Sequence, residues 1–289
     1  FNFGMDTTKA VYLPYNQAFP QQYVIDKAAC KKDCGNPCSS ACTYGAIQLD
    51  MQPETVSVKV HSIVVTTGWN PYDADKIETL GSGNIPNVIT NMQMERLAAV
   101  NGPTGGAINR PSDGKPVQKI AFVQCAGSRD ENHLAYCSYI CCMASLKQTL
   151  YVREQNPDAE VTIFYIDMRT PGRYEKFLNQ IQADSKVTFI KGKVAKLERG
   201  KGGDVIVTAE DTSTGDKVQQ TFDLVVLATG MQPAGADKQL PGVNYIEGFA
   251  SSAAGIFAAG CCRNPMDVSK SAQDATSAAL KAIQAGKGR

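Results

Sequence analysis

The sequence predicts an α/β fold built from two dinucleotide-binding-like domains, and three observations carry that expectation. Residues 119–167 read strand, tight loop, helix, strand, the frame in which dinucleotide-binding proteins set a phosphate loop. Two hydrophobic strands bracket that unit, one within 53–68 (VSVKVHSIVVTTG) and one over 221–230 (TFDLVVLATG), and each ends in Thr-Gly. Finally, GIFAAG at 255–260 reads as a strand that turns into a helix beginning near Asp267 to Ser269.

The central unit holds the most informative residues. Lys119 to Val123 reads as a short buried strand. Ser138 to Val152 reads as a helix with apolar positions near Ile140, Met143, Ala144 and Leu150, and AEVTIFYID at 159–167 is the second strand. Where a glycine-rich loop is usual, this loop carries Cys125, Cys137, Cys141 and Cys142, spaced C-x11-C-x3-C-C. On a helix, Cys137 and Cys141 share a face, Cys142 is turned away by about 100°, and Cys125 arrives from the strand end. Four thiolates meeting at a helix N-terminus suit an anionic iron–sulfur cluster, because the helix dipole and free N–H groups stabilise negative charge there. Zinc, two disulfides and buried free thiols are the other readings. Adjacent cysteines do not easily pair, and the two CxxC knuckles of a zinc ribbon are absent.

Composition narrows the function classes. With 289 residues, 43% hydrophobic, the chain has room for two cores. A net charge of +1 leaves no basic surplus for nucleic acid. No apolar run approaches the roughly 18 residues of a membrane span. No secretory signal is visible, so the ten cysteines read as metal ligands in a reducing cytosol rather than a disulfide scaffold. The opening FNFGMDTTKA, without a starting Met, reads as the middle of a longer sequence, a fragment or a processed product.

Residues 1–29 show little periodicity until YVIDKAAC at 23–30, a strand running into the first cysteine. Cys30, Cys34, Cys38 and Cys42 follow as C-x3-C-x3-C-x3-C. Gly35 and Pro37 argue against a helix through the first half. A loop wrapped around a cluster fits better, with SSAC at 39–42 starting a helical turn and YGAIQLD at 44–50 returning as a strand. This resembles half of a bacterial-type ferredoxin, whose usual run is C-x2-C-x2-C-x3-C-P. Only the last spacing is kept here, and Thr43 stands in place of the proline. The fourth cysteine of such a run serves the other cluster in two-cluster ferredoxins, so Cys42 would serve that cluster if a partner run lies upstream of Phe1. A zinc loop or an inactive relic is the alternative.

Four segments are expected: a ferredoxin-like cluster segment at 1–52, part of a flavin domain and a linker at 53–116, a second nucleotide-binding-like domain with the cysteine motif at 117–224, and a return to the first domain at 225–289. Within them lie a helix at 91–100 and a Gly/Pro-rich loop at 101–116 that marks a boundary. A surface helix at 173–184 follows, then a three-strand meander formed by KVTFIKGKVAKLERG, DVIVTAED and KVQQTFD.

In two-domain flavoproteins a hydrophobic strand ending in Thr-Gly marks the crossing between domains, where small residues let backbone approach a cofactor. Thr67, Gly68, Thr229 and Gly230 are therefore candidate cofactor contacts. So are Gly260, Cys261, Asp267 and Val268, where the last strand and helix would close over FAD. Core strands capped by glycine turns are the plainer reading. An acidic residue usually follows the glycine of that last strand, and Cys261 stands there instead. Cys262 reads as a small buried apolar residue. No residue is assigned general acid or base chemistry, including His61 and His133.

The string CAGSR…YCSYICCM, with GPTGG and RPSDG upstream and GIFAAG…DV downstream, resembles the FAD-containing A subunits of heterodisulfide reductases. FNFGMDTTKA, YLPYNQAFP and QDATSAALKAIQ resemble a related branch, the QmoA-type flavin subunits of quinone-interacting membrane-bound oxidoreductases. The resemblance covers nearly the whole chain. It implies a thioredoxin-reductase-like fold carrying FAD and one or two [4Fe–4S] clusters, one on Cys125, Cys137, Cys141 and Cys142 and one on Cys30, Cys34, Cys38 and Cys42. It also implies exchange with adenylylsulfate reductase, a membrane-bound haem subunit that reacts with quinone, and an iron–sulfur flavoprotein partner subunit. The protein would then be cytoplasmic and held at the membrane through its partners. One departure is large: such proteins begin with a G-x-G-x-x-G βαβ unit. GSGNIP at 81–86 does not fit it, so that unit is expected before Phe1. The reading is an electron relay for a sulfate-reduction type of complex. Its rivals are a pyridine-nucleotide disulfide oxidoreductase and a zinc-stabilised binding module.

Overall fold

The computed structural model describes residues 1–31 and 34–287, in two compact units, Phe1–Lys59 and Val60–Arg289. The first unit has little regular structure. Two-residue strands β1 (Val11–Tyr12) and β2 (Val24–Ile25) pair antiparallel, and one short helix, α1 (Pro37–Ala41), starts at a proline that suits a first helical turn. The expected strand at 44–50 does not form; turns occupy it. The strand expected to lead into Cys30 stops at Ile25, and Asp26 turns the chain by accepting from the Ala28 amide. Residues 51–60 carry no regular structure, so the strand expected over 53–68 shrinks to β3 (Ile63–Val65). Val56, Val58 and Val60 have strand-like alternation but no neighbouring strand to accept their backbone hydrogen bonds.

The second unit is an α/β fold, as expected. After β3 come β4 (Trp69–Pro71), β5 (Val88–Thr90), α2 (Asn91–Ala98), β6 (Lys119–Ala126), α3 (Cys141–Gln155), β7 (Glu160–Tyr165), α4 (Glu175–Gln182) and β8 (Val187–Lys191). Then follow β9 (Val194–Arg199), β10 (Val205–Asp211), β11 (Asp216–Phe222), β12 (Leu224–Thr229), β13 (Met231–Pro233), β14 (Asn244–Ile246), β15 (Phe249–Ser251), β16 (Ile256–Ala258) and α5 (Val268–Lys287).

A five-stranded parallel sheet, in the order β5-β12-β6-β7-β8, forms the centre. Its strands are near-continuous apolar runs because both faces are covered. In β6, Ala121 and Val123 pack with Phe164, Val225 and Leu227 against Val205, Val207 and Phe222 of the β9-β10-β11 meander. Ile120 and Phe122 alternate with them and are fully buried as well, as are Met94 and Leu97 of α2 and Leu146 of α3. The meander keeps three strands, but its first one is shorter than expected. KVTFIKGKVAKLERG divides at Gly192, giving β8 to the parallel sheet and β9 to the meander. Gly192 has to be glycine, since a Cβ there would lie 1.8 Å from the Glu210 carbonyl oxygen.

The expected helix at 91–100 forms as α2, closed by a capping box in which Thr90 and Gln93 satisfy each other's amides. The Gly/Pro-rich loop before β6 is anchored by one buried cation. Arg110 reaches Asp204 at 2.8 Å, Asp223 at 3.3 Å and the Gly202 carbonyl at 2.6 Å. Elsewhere β3 pairs parallel with β16, and α5 packs on both. No helix among the described residues is long and apolar enough to cross a membrane.

Candidate iron–sulfur and cofactor site

Strand β6 does not run straight to its end. Its pairing with β12 shifts register between Leu227 and Thr229, and Cys125 takes a left-handed φ of 57°. This bulge turns the Cys125 side chain out of the regular pleat. Two more non-glycine residues of the following loop, Arg129 (φ 55°) and Tyr139 (φ 70°), are also left-handed. Backbone of this kind costs free energy and persists only where the surroundings hold it in place.

Those surroundings are on hand. Ser128 and Ser138 share a 2.6 Å hydrogen bond, and the Met231 amide donates to the Ser138 hydroxyl at 2.7 Å. Amides of Arg129 and Leu134 donate to the carbonyls of Tyr136 and Gly127, each at 3.0 Å, and the Tyr136 hydroxyl donates to the Met231 carbonyl. Burial pushes the Tyr136 phenol up to about 12, keeping it a neutral donor. Gly230 packs directly beneath: a Cβ there would meet Ser128 Oγ at 2.5 Å and Leu134 Cδ1 at 2.6 Å.

The outcome is one tight cavity of about 10 Å³, lined by Cys125, Cys137, Cys141 and Cys142 with Arg129, Asp167 and Arg169. The helix expected from Ser138 starts at Cys141 instead. Cys137 therefore reaches the cavity from the loop and not from a shared helix face, and its sulfur accepts from the Tyr139 amide at 3.4 Å. Cys141 and Cys142 occupy the first turn of α3, where the dipole favours negative charge. The Cys141 thiol points to the Thr229 carbonyl at 3.5 Å and the Cys142 thiol to the Asp167 carbonyl at 3.9 Å.

Electrostatics are set by burial against two cations. Burial, then the nearby Cys142, pushes the Cys125 thiol up to about 11. Burial raises Cys141 further still, and Cys142 is raised for the same reason. Opposing this, Arg129 and Arg169 both bond Asp167 at the cavity rim, and Arg169 is held more firmly protonated by the Cys137 sulfur. Burial works against the Asp167 carboxylate, but hydrogen bonds from the two arginines outweigh it and hold its pKa below the usual range.

The donor set fits a multi-iron centre. All ten cysteines are free thiols. The four here stand around a common space. Ligands of a cluster sit farther apart than those of a mononuclear ion, because each thiolate holds a different iron. Arg129 and Arg169 supply positive charge beside an anionic core.

The other quartet is arranged differently. Cys34 is exposed, and Cys30, Cys38 and Cys42 are partly so. Backbone amides, first those of Ala46 and Tyr44, lower the Cys42 thiol, and the Ala46 amide lies 3.4 Å from its sulfur. None of these four lines either of the two cavities near α3.

The candidate cofactor residues fall into two places. Gly68 (φ 73°) and Gly260 (φ 73°) lie in turns with no atom within 4 Å of where a Cβ would be. The Gly68 carbonyl accepts from the Ala234 amide, and Thr67 precedes it between β3 and β4. The Gly260 amide donates to Asp274 in α5, and the Cys261 thiol lies 3.4 Å from the Met266 carbonyl. Asp267 precedes α5 and accepts from the Lys270 amide, and Val268 beside it is exposed. Thr229 and Gly230, by contrast, face the cysteine loop: Thr229 is buried and donates to Asn91 at 2.8 Å.

A second cavity of about 520 Å³ lies beside the first. Tyr139, Ile140, Met143, Phe177 and Tyr174 line it, and Lys147 and Asp267 bring charge to it. Its size and apolar walls fall in the range of small-molecule and cofactor sites. Sequence patterns carried no sign of it, because its walls come from α3, the segment at 171–177 and the entry to α5. Arg169 was missed as well. An arginine two residues beyond a strand-ending acid carries no signal until the fold turns it toward Cys137.

No protein-family profile matches the chain. It is 38% identical to the A subunit of the ferredoxin/F420H2-dependent CoB–CoM heterodisulfide reductase of Methanosarcina acetivorans, over 98% of this chain and 38% of that protein. To the A subunit of the H2:CoB–CoM heterodisulfide,ferredoxin reductase of Methanothermobacter marburgensis it is 35% identical, over 98% of this chain and 45% of that one. To the iron–sulfur A subunit of the CoB–CoM heterodisulfide reductase of Methanocaldococcus jannaschii it is 42% identical, over 81% and 36%. The chain thus spans less than half the length of these relatives. Among solved structures, the thioredoxin reductase of T. acidophilum aligns over 77% of this chain and 65% of its own, at 16% identity and a TM-score of 0.49. That likeness decides nothing about chemistry.

Proposed function

The chain is a homologue of heterodisulfide reductase A subunits over nearly its whole length, and we propose that it is the flavin and iron–sulfur electron-relay part of a multi-subunit oxidoreductase. One observation carries the reading: four cysteines from a bulged strand, a loop and a helix N-terminus line one buried cavity beside two arginines. Cys125, Cys137, Cys141 and Cys142 would hold a [4Fe–4S] cluster there, which when bound supplies one-electron chemistry. The protein's part is to bury the centre, aim the helix dipole at it and balance its charge with Arg129 and Arg169. Cys30, Cys34, Cys38 and Cys42 would serve a second cluster.

FAD is assigned to the side of the molecule that carries Thr67, Gly68, Gly260, Cys261, Asp267 and Val268, with Thr229 and Gly230 as the link to the cysteine loop. The open turns at Gly68 and Gly260 and the Asp267-lined cavity support this. The finer reading follows the QmoA-like resemblance: quinone-linked electron transfer in sulfate reduction, with adenylylsulfate reductase as exchange partner, an iron–sulfur flavoprotein partner and a membrane-bound haem subunit. On that reading the chain works in the cytoplasm, at the membrane through its partners.

Anaerobically prepared protein should contain iron and acid-labile sulfide for at least one [4Fe–4S] cluster. Zinc in place of iron, in a colourless sample, overturns the relay. The unit β6-α3-β7 should also fail to bind NADH or NADPH, although its order of elements invites them. A dinucleotide needs an empty helix N-terminus and a free acid at the end of the second strand. Cysteines fill the first, and Arg129 and Arg169 engage Asp167, which stands in the second position. Titration of the intact protein with each nucleotide, following flavin reduction, tests this. Rapid reduction with saturation would favour a pyridine-nucleotide oxidoreductase.

A further inference from the structure

Tyr139 belongs to both cavities: it lines the four-cysteine space and the larger apolar one beside it. Its backbone conformation and two contacts set it apart. Its backbone is left-handed at φ 70°, which a bulky aromatic residue adopts only when the fold compels it. Its amide lies 3.4 Å from the Cys137 sulfur. Its ring carries the Lys270 ammonium 4.1 Å from its centroid, so the first turn of α5 is tied across to the cysteine loop. Glycine is the residue that would take this backbone without strain, so the tyrosine keeps a strained position for its side chain. The amide and the ring make those two contacts, without the hydroxyl.

We infer that Tyr139 is the wall between the cysteine centre and the neighbouring cavity, its ring keeping water off the centre on that side while Lys270 fixes a positive charge behind it. The inference rests on the reading of the four cysteines as a cluster site. The ring excludes water because it is the residue common to both cavities. The Lys270 ammonium, on an exposed side chain, adds positive charge on this side and so favours the more negative, reduced form of an anionic centre. Tyr139 is thus a positioning residue, acting on the centre through exclusion of solvent and placement of Lys270.

The test uses the full-length protein purified anaerobically in its complex, as wild type and as Y139G, Y139F and K270M. Y139G keeps the left-handed backbone and the amide but removes the ring, and Y139F keeps the ring. Iron release to a ferrous chelator such as bathophenanthroline disulfonate should be about tenfold faster in Y139G, which corresponds to a barrier lower by about 1.4 kcal/mol, and unchanged in Y139F. The midpoint potential of the centre, read by EPR-monitored titration, should fall in K270M. Wild-type release kinetics in Y139G overturn the inference, as does an unchanged potential in K270M. If Y139G fails to accumulate, the K270M potential decides alone. A wild-type protein without iron overturns the cluster reading itself, which separates the two failures.

Discussion

Cys30, Cys34, Cys38 and Cys42 follow one another at even steps of four in a unit with two-residue strands and one five-residue helix. Cys125, Cys137, Cys141 and Cys142 are unevenly spaced, yet the structure gathers them around one cavity in which three of the four are buried. Even spacing is a local property and brings side chains together only if the local backbone is regular. Gly35 and Pro37 deny the first quartet a continuous helix, and the sheet of its unit among the described residues is a single pair of two-residue strands. The second quartet sits at the C-terminal end of a parallel sheet, where β6, the loop and α3 are each held by other elements. A scaffold compensates for irregular spacing; regular spacing does not replace a scaffold.

The largest expected effect separates the quartets directly. C141S should abolish or convert the cluster on the second quartet, while C42S should leave that cluster intact and cause the milder loss. EPR spectra and iron content of the two variants measure this. Full retention of the cluster signal in C141S would break the comparison by removing the scaffolded site.

The next effect tests the scaffold beneath the sulfurs. G230A puts a methyl group into Ser128 and Leu134 and should destabilise the protein by about 1–3 kcal/mol through overpacking. G35A, in the first unit, meets no atom within 4 Å and should cost about 1 kcal/mol, from left-handed backbone strain alone. Denaturant unfolding of both variants gives the order. Equal costs would mean that the cysteine loop is no more tightly packed than the first unit.

The smallest effect concerns the far end of α3. Arg153 holds Asp184 at 2.7 Å, which lowers the Asp184 pKa, and the pair ties α3 to the end of α4. A carboxylate with a depressed folded-state pKa adds stability above its unfolded value. That stability is lost as pH falls through the folded value. D184N should therefore cost about 1 kcal/mol or less at neutral pH, since the pair is partly exposed, and nothing once the wild-type acid is protonated. A cost that persists in acid would assign Asp184 a packing role in place of a charged one.

Sequence alone determined the elements with strong, self-contained signals. The βαβ unit at 119–167, the helix after β5, the strand ending at Thr229 and the helix after Asp267 all came from apolar periodicity and capping, which act within a few residues. The two candidate quartets of cysteines also came from sequence, because their number and spacing are read directly off the chain. Strands at 44–50 and 53–62 were expected and are absent, since alternation becomes a strand only where a neighbour accepts its hydrogen bonds. Tertiary structure alone decided where α3 begins, and so that Cys137 approaches from a loop. It also decided that Arg169 turns to Cys137, that Gly230 underlies the cysteine loop, and that Tyr139 stands between two cavities. Each of these depends on contacts between residues far apart in the chain, and only the folded sheet, through its register and its bulge at Cys125, fixes which distant residues meet.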